Sequence, residues 1–146
     1  MTGNEYRYAE KVLYGYRRNA ETAARLSEEL RSLREVGDVH GQSYGQSIRG
    51  GKSDPVARHV DEVMSLEGRL KRVMRRVEAV DRMREDLRTG NVITITTGKN
   101  LLLILDEYYI SGRTASEFVS VYRCSRSMFY VRRRELVMIA GEYLRA

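Results

Sequence analysis

The sequence predicts an all-α protein: a long antiparallel helical hairpin with coiled-coil-like packing, followed by a small C-terminal helix-turn-helix domain. Three observations lead to this prediction. Alanine, leucine, arginine, glutamate and methionine are plentiful, whereas 146 residues contain one proline and no tryptophan, a composition that favours helix over sheet. Two long segments carry apolar residues at helical spacing. The last third of the chain divides into three short helices with capping signals.

The first long helix is expected from Glu5 to Val36. This segment contains no proline, and its apolar residues recur at steps of three and four, which is the period of an α-helix. The apolar stripe consists of Leu13, Tyr16, Ala20, Ala23, Leu26, Leu30 and Leu33. The periodicity ends at Gly37, and the glycine- and serine-rich stretch 37–53 predicts a flexible loop.

The second long helix is expected to begin at Asp54-Pro55, an N-cap followed by a proline in the first turn, and to run to about Arg88. Its stripe consists of Val56, Val60, Val63, Leu66, Leu70, Val73, Val77, Val80 and Leu87. Two stripes of similar length joined by a loop predict an antiparallel hairpin. Because two helices alone bury little surface, we expect the hairpin to self-associate through these stripes into a homo-oligomer. The predicted domains are 1–90, the hairpin, and 91–146, the helix-turn-helix.

Three short helices are expected after an extended connector, Val92 to Thr97. The first runs from Asn100 to Ile110 and stops at Ser111-Gly112. The second runs from Ala115 to Tyr122, with Thr114 as its cap and Glu117 three residues on, the spacing of a capping box. The third runs from Arg126 towards Leu144, with Ser125 as its cap. Two capped helices separated by a tight turn are the minimum for a helix-turn-helix.

The third helix divides its residues between two faces. One face is expected to pack on the other helices and carries Cys124, Met128, Phe129, Leu136 and Ala140. The opposite face is basic near the start of the helix, where a recognition helix meets base edges in the major groove of DNA. Arginine is the commonest bidentate partner of guanine, and hydroxyl groups and further arginines bind phosphate. The predicted DNA-binding residues are Arg113, Thr114, Ser125, Arg126, Ser127, Tyr130, Arg133 and Arg134.

The simpler interpretation of Arg132-Arg133-Arg134 is a solvated basic face, and this run alone would favour it. The preceding caps and the tight turn favour DNA binding instead. The formal net charge of +6 agrees with an anionic partner, although charge alone does not distinguish nucleic acid from an acidic protein or a membrane surface.

The same region resembles the helix-turn-helix of the ArpU/RinA-type phage transcriptional regulators, a motif that is itself similar to region four of bacterial sigma factors. The matching pattern is Thr114-x-x-Glu117-Phe118-x-x-x-Tyr122-x-Cys124-Ser125-x-Ser127-x-Phe129-Tyr130-x-x-Arg133, preceded by Tyr109-Ile110-Ser111-Gly112. Two positions depart from the family pattern. Arg123 stands where many relatives carry glycine, and Val119 stands where the residue is usually small. Arg123 is therefore expected to adopt an unusual backbone angle.

This resemblance implies a phage or prophage activator of late genes, such as those for packaging and morphogenesis. The expected partner is double-stranded DNA, and the host RNA polymerase is a second candidate partner. Two alternatives remain open. A small terminase-like packaging subunit would also combine DNA recognition with an oligomerising hairpin, and a helical adaptor would use the basic face to bind protein.

The sequence contains no set of residues that predicts catalysis, a metal site or a cofactor. Gly51-Lys52-Ser53 is similar to the end of a phosphate-binding loop, but the glycine that the full pattern requires is Gln46. His40 and His59 have no partners at metal-ligand spacing. The single cysteine, Cys124, excludes an internal disulfide and agrees with a reducing compartment. Without a signal peptide or an apolar stretch of about 20 residues, the protein is expected in the cytoplasm of a bacterial host cell.

Overall fold

The computed structural model describes the backbone of residues 1–43 and 55–146, and the side chains of 1–36 and 55–146. The described residues form helices and no β-strand, which confirms the all-α class. The helices are α1 (Gly3–Tyr14), α2 (Tyr16–Ser43), α3 (Pro55–Thr89), α4 (Gly98–Leu103), α5 (Ala115–Val121) and α6 (Arg126–Arg145), and a π-helical segment (Ile104–Ile110) continues directly from α4.

The predicted first helix is divided at Gly15, between α1 and α2. The Gly15 amide donates to the Lys11 carbonyl oxygen at 2.9 Å, and the Asn19 amide donates to the Gly15 carbonyl oxygen at 2.8 Å. The helix also extends beyond the predicted end at Val36 to Ser43, because a single glycine such as Gly37 costs a helix only about 1 kcal/mol. The rest of the predicted loop, 44–53, and the predicted cap Asp54 lie outside the described residues.

The helices α2 and α3 pair in antiparallel directions, as predicted for the hairpin. Tyr16 donates to Asp81 at 2.5 Å, and Arg34 donates to Glu67 at 2.6 Å. The residue numbers on α3 therefore fall as those on α2 rise. The range of α3, Pro55–Thr89, agrees with the predicted Asp54-Pro55 start and the end near Arg88.

The chain divides into two compact units, and this division differs from the predicted boundary near residue 90. The hairpin unit is Ala20–Met74, and the terminal unit combines Met1–Asn19 with Arg75–Ala146. In the hairpin unit Ala23, Leu26 and Leu30 are buried. The terminal unit includes α1 because α1 packs along α6, a long-range contact that helical periodicity does not encode.

The core of the terminal unit combines residues from the start and the end of the chain. Leu13 of α1 and Phe129, Leu136 and Val137 of α6 are fully buried in one apolar cluster. Gly141 of α6 allows close approach, because a Cβ atom there would meet the Met1 side chain. α1 is capped at its start by a complete capping box between Thr2 and Glu5.

The predicted helix from Asn100 to Ile110 is only partly α-helical. After Leu103 the backbone widens into the π-helical segment, and the Ser111 amide then donates to the Asp106 carbonyl oxygen, five residues earlier, at 2.8 Å. This widening brings Leu105 and Tyr109 into the core. The predicted stop is confirmed, since Gly112 has a φ of 82°, which glycine adopts without strain.

The connector that precedes α4, Val92 to Thr97, forms neither helix nor strand and bends at Val92, Ile95 and Thr96. One side chain of α6 holds it. The Glu135 carboxylate accepts the backbone amides of Ile95 at 2.6 Å and Thr96 at 3.0 Å. Ile93 and Ile95 are fully exposed, while the residues between and beside them are half-buried. The connector therefore leads the chain from α3 to α4 along a fixed path.

Candidate nucleic-acid interface

The α5–turn–α6 region consists of two capped helices joined by a short turn. The Thr114 hydroxyl accepts the Glu117 amide, and the Ser125 hydroxyl accepts the Met128 amide, each at 3.1 Å. Both predicted N-caps are therefore confirmed. Between the helices Arg123 has a φ of 50°, the unusual, left-handed backbone angle that was expected at this position.

Aromatic contacts hold α5 against α6. The rings of Phe118 and Phe129 lie 5.2 Å apart between centroids, and both side chains are buried. Cys124 in the turn is half-buried and packs on this core, as predicted. Val119 also packs against the core, and Phe118 beside it stays buried.

Four of the predicted DNA-binding residues lie exposed on the first turns of α6. They are Arg126, Ser127, Tyr130 and Arg134. The Arg126 guanidinium donates to the Ser116 hydroxyl of α5 at 2.8 Å, which restricts the arginine without neutralising its charge. Ser116 was not among the predicted site residues. Its position two residues after the Thr114 cap, in the first turn of α5, was the only signal that could have identified it.

Arg133 is held inside the terminal unit rather than standing free on the surface. Its guanidinium donates to the Glu10 carboxylate at 2.9 Å and to the Tyr109 hydroxyl at 3.1 Å, and its side chain is 21% exposed. It also lies 5.3 Å from the centroid of the Tyr108 ring. Burial opposes the charge, but the neighbouring Tyr109 and Glu10 raise the pKa of Arg133 above its ordinary value. The structure therefore gives this predicted site residue a role in linking α1 to α6.

Three other predicted site residues lie at the ends of helices and have internal partners. Arg113 forms an ion pair with Glu107 at 2.9 Å. The hydrogen bond that Arg113 donates to Glu107 raises the pKa of Arg113 above its ordinary value, because it outweighs the lowering effect of burial. Thr114 and Ser125 are exposed, and their hydroxyl oxygens accept the capping bonds. Their hydroxyl hydrogens remain able to donate to an anion.

The predicted packing face of α6 is correct except for Met128. Phe129, Leu136 and Ala140 are buried, whereas Met128 is 50% exposed. Met128 is half-exposed because α5 covers the face of α6 that carries Phe129. Met128, one residue earlier, points to a neighbouring face. Its sulfur lies 3.8 Å from an Arg132 guanidinium nitrogen, so both residues border the exposed basic face.

A basic groove lies elsewhere in the terminal unit and was not predicted from the sequence. Its cationic side chains come from α1, α2 and α3 and from the residue before the Thr114 cap of α5. They are Lys11, Arg17, Arg18, Arg76 and Arg113. Only the tertiary fold brings these positions together, because they are spread over about a hundred residues of the chain.

No group of His, Cys, Asp or Glu side chains in the described part of the chain is arranged to hold a metal ion. No described helix combines the length and the apolar composition needed to cross a lipid bilayer. The sequence fragment Gly51-Lys52-Ser53 lies outside the described residues, as does the side chain of His40.

Comparison with known proteins identified no relative. No family model matches the chain, and no curated protein or solved structure matches it. A functional proposal therefore rests on the geometry of the α5–turn–α6 region.

Proposed function

We propose that the protein is a sequence-specific, duplex-DNA-binding transcriptional regulator that uses the start of α6 as its recognition helix. The observation that carries this proposal is the exposed set Arg126, Ser127, Tyr130 and Arg134 on the first turns of a helix that a capped partner helix supports. A recognition helix requires such a set, because its N-terminal residues reach base edges while its other face packs on the first helix.

The four residues have different expected roles. Arg126 lies on the first turn and is the best candidate to contact guanine with two hydrogen bonds. Ser127 and Tyr130 carry hydroxyl groups that can donate to phosphate oxygens. Arg134 lies two turns along the helix and is expected to contact the DNA backbone. By resemblance, the regulated genes would be phage or prophage late genes, with the protein acting as an activator in the host cytoplasm.

The hairpin unit is expected to supply self-association or a contact with host RNA polymerase. Val60 and Met64 of α3 are 47% and 63% exposed, and a groove of about 620 Å³ lies between Leu33 of α2 and Leu66 of α3. Exposed apolar side chains of this kind favour burial in an interface between copies. A dimer would suit a regulator, whereas a ring of eight or more subunits would favour the packaging alternative.

The direct test is selection of bound fragments from the source genome, followed by titration of the selected site. Arg126→Ala should weaken specific binding by about 1–3 kcal/mol with little effect on random duplex. Arg69→Ala, which removes an exposed arginine of α3 without a described ion-pair partner, is the matched control and should bind like the unaltered protein. Equal binding by both variants, or no retention of duplex by the unaltered protein at moderate salt, would overturn the proposal.

A further inference from the structure

The basic groove of the terminal unit has a lining that is cationic and aromatic and contains no carboxylate. Its volume is about 930 Å³, and its residues come from α1, the start of α2, Arg76 of α3 and the segment from Tyr108 to Ala115. This size lies near the upper end of the range of small-ligand pockets, about 300–1,000 Å³. It is therefore large enough for a few nucleotide units of a single strand but too small for a duplex.

Four of its cations form no ion pair with any side chain that the structure describes. In the described part of the chain, no carboxylate lies within ion-pair distance of Lys11, Arg17, Arg18 or Arg76. The fifth cation, Arg113, is paired with Glu107. Like charges that converge on a concave surface raise the local concentration of anions. The groove is thus an attractive site for a ligand that carries several negative charges.

The groove also offers tyrosine rings with exposed surface. Tyr8 is 46% exposed and Tyr14 is 48% exposed. The Tyr14 ring is fixed by edge contacts, with its centroid 5.7 Å from that of Tyr108 and 4.7 Å from that of Tyr109, and its hydroxyl bonds to the Tyr108 hydroxyl. Burial and this hydrogen bond raise the pKa of Tyr14, so the phenol stays neutral at physiological pH and does not repel a phosphate.

Small residues line part of the groove. Gly15 lines it at the junction of α1 and α2, and a Cβ atom at this position would lie 3.1 Å from the Lys11 carbonyl oxygen. Ser111, with a small side chain, and Gly112, with none, also line it. These positions place no large side chain in the groove.

We propose that this groove binds nucleotide units, with phosphates on Lys11, Arg17, Arg18 and Arg76 and bases stacked on Tyr8 and Tyr14. An acidic peptide would satisfy the cations but would leave the ring faces without a planar partner, whereas single-stranded nucleic acid uses both features. No residue of α6 lines the groove, and the proposal stands whether or not α6 binds duplex DNA. The ligand is either a segment of single strand or a free nucleotide, which share this chemistry.

The test is fluorescence anisotropy of the full chain with a labelled twelve-residue oligothymidylate, beside a labelled random duplex and thymidine monophosphate as a competitor. Tyr8→Ala should weaken binding of the single strand about 5- to 150-fold, the range for loss of one stacked base. Tyr8→Phe should retain binding. Reversal of Arg17 and Arg18 to glutamate should weaken it at least as much. The control R69E/R72E, which reverses two exposed arginines of α3, should have a much smaller effect.

Competition by the monophosphate would assign the site to a free nucleotide, and binding of the oligomer without such competition would assign it to a strand. Three results would overturn the proposal: no binding of the oligothymidylate, binding unchanged by Tyr8→Ala, or equal binding of a polyglutamate peptide. Arg126→Ala distinguishes the two sites, because it should weaken duplex binding and leave the single strand unaffected. If the Arg126→Ala variant lost binding of both the duplex and the single strand, the two ligands would share the surface of α6.

Discussion

The Arg133 guanidinium and the Glu10 carboxylate form an ion pair at 2.9 Å that joins α6 to α1 across 123 positions of the chain. Both side chains are about one-fifth exposed. Water therefore screens the pair only partly, and removing one partner would leave the other charge in a largely buried site.

We predict that Glu10→Gln lowers the free energy of unfolding by about 2–3 kcal/mol, because Arg133 keeps its charge and loses its counter-ion. Denaturant unfolding followed by circular dichroism measures this change. Glu21→Gln, at an exposed position of α2, is the control and should change the stability by less than about 0.5 kcal/mol. A loss no larger than that of the control would show that the pair contributes little.

Glu135 should make the stability depend on pH. Burial acts to raise its pKa, but the hydrogen bonds from the Ile95 and Thr96 amides outweigh burial, so the pKa lies below the ordinary value of 4.5. A carboxylate with a lowered pKa in the folded state stabilises the protein above its unfolded-state pKa, and this contribution is lost as the pH falls through the folded-state pKa. Glu135→Gln should therefore cost about 1–2 kcal/mol at pH 7, and the difference from the unaltered protein should shrink below about pH 4.5.

The measurement for Glu135 is a series of denaturant unfolding curves between pH 3 and pH 7. Glu142→Gln, an exposed substitution on the same helix, controls for the general loss of carboxylate charge. A difference between Glu135→Gln and the unaltered protein that stays constant over this range would contradict the prediction.

Replacing Arg123 with glycine should stabilise the folded protein. Its φ of 50° places a side chain in the left-handed region, where an L-residue costs roughly 1–2 kcal/mol relative to the right-handed region and glycine costs little. We expect Arg123→Gly to raise the unfolding free energy by about 0.5–1 kcal/mol after the entropy that glycine adds to the unfolded chain. Arg123→Val should lower it, because a branched side chain tolerates this angle least. Thermal unfolding of the two variants would decide the matter, and an opposite order would refute it.

Gly98 and Gly3 form a matched pair for a steric prediction. Each is the first residue of its helix, α4 and α1. A Cβ atom on Gly98 would lie 2.4 Å from the Leu87 carbonyl oxygen, whereas one on Gly3 would meet nothing within 4 Å. Gly98→Ala should therefore cost about 1–3 kcal/mol through a forced backbone shift. Gly3→Ala should be neutral or slightly stabilising, and similar unfolding midpoints for both variants would contradict the steric explanation.

Much of the fold could be predicted because short-range interactions determine it. The caps Thr114 and Ser125 bond to amides three residues away, and the stop at Gly112 depends on the freedom of one residue. The apolar stripes likewise report a period of three to four residues. Each of these features can be predicted from residues that lie within about one helical turn of each other in the sequence.

The candidate site was only partly predictable. The exposure of Arg126, Ser127, Tyr130 and Arg134 agrees with the face expected for α6. Arg133 lies on the same helix, but its side chain packs inside the terminal unit because it donates hydrogen bonds to Glu10 and Tyr109. A helical pattern assigns an angular position to a residue, and it contains no information on which distant carboxylate will face that position.

The sequence by itself determined that the chain is helical, where most of its helices begin, and which turn separates α5 from α6. Only the tertiary structure decided that α1 joins α6 in one unit, that Arg133 is an internal residue, and that Lys11 and Arg76 face one groove with Tyr14. The physical reason is the range of the interactions. Helix caps and periodicity act within a few residues, whereas burial and ion pairing depend on surfaces that meet only after the helices have packed.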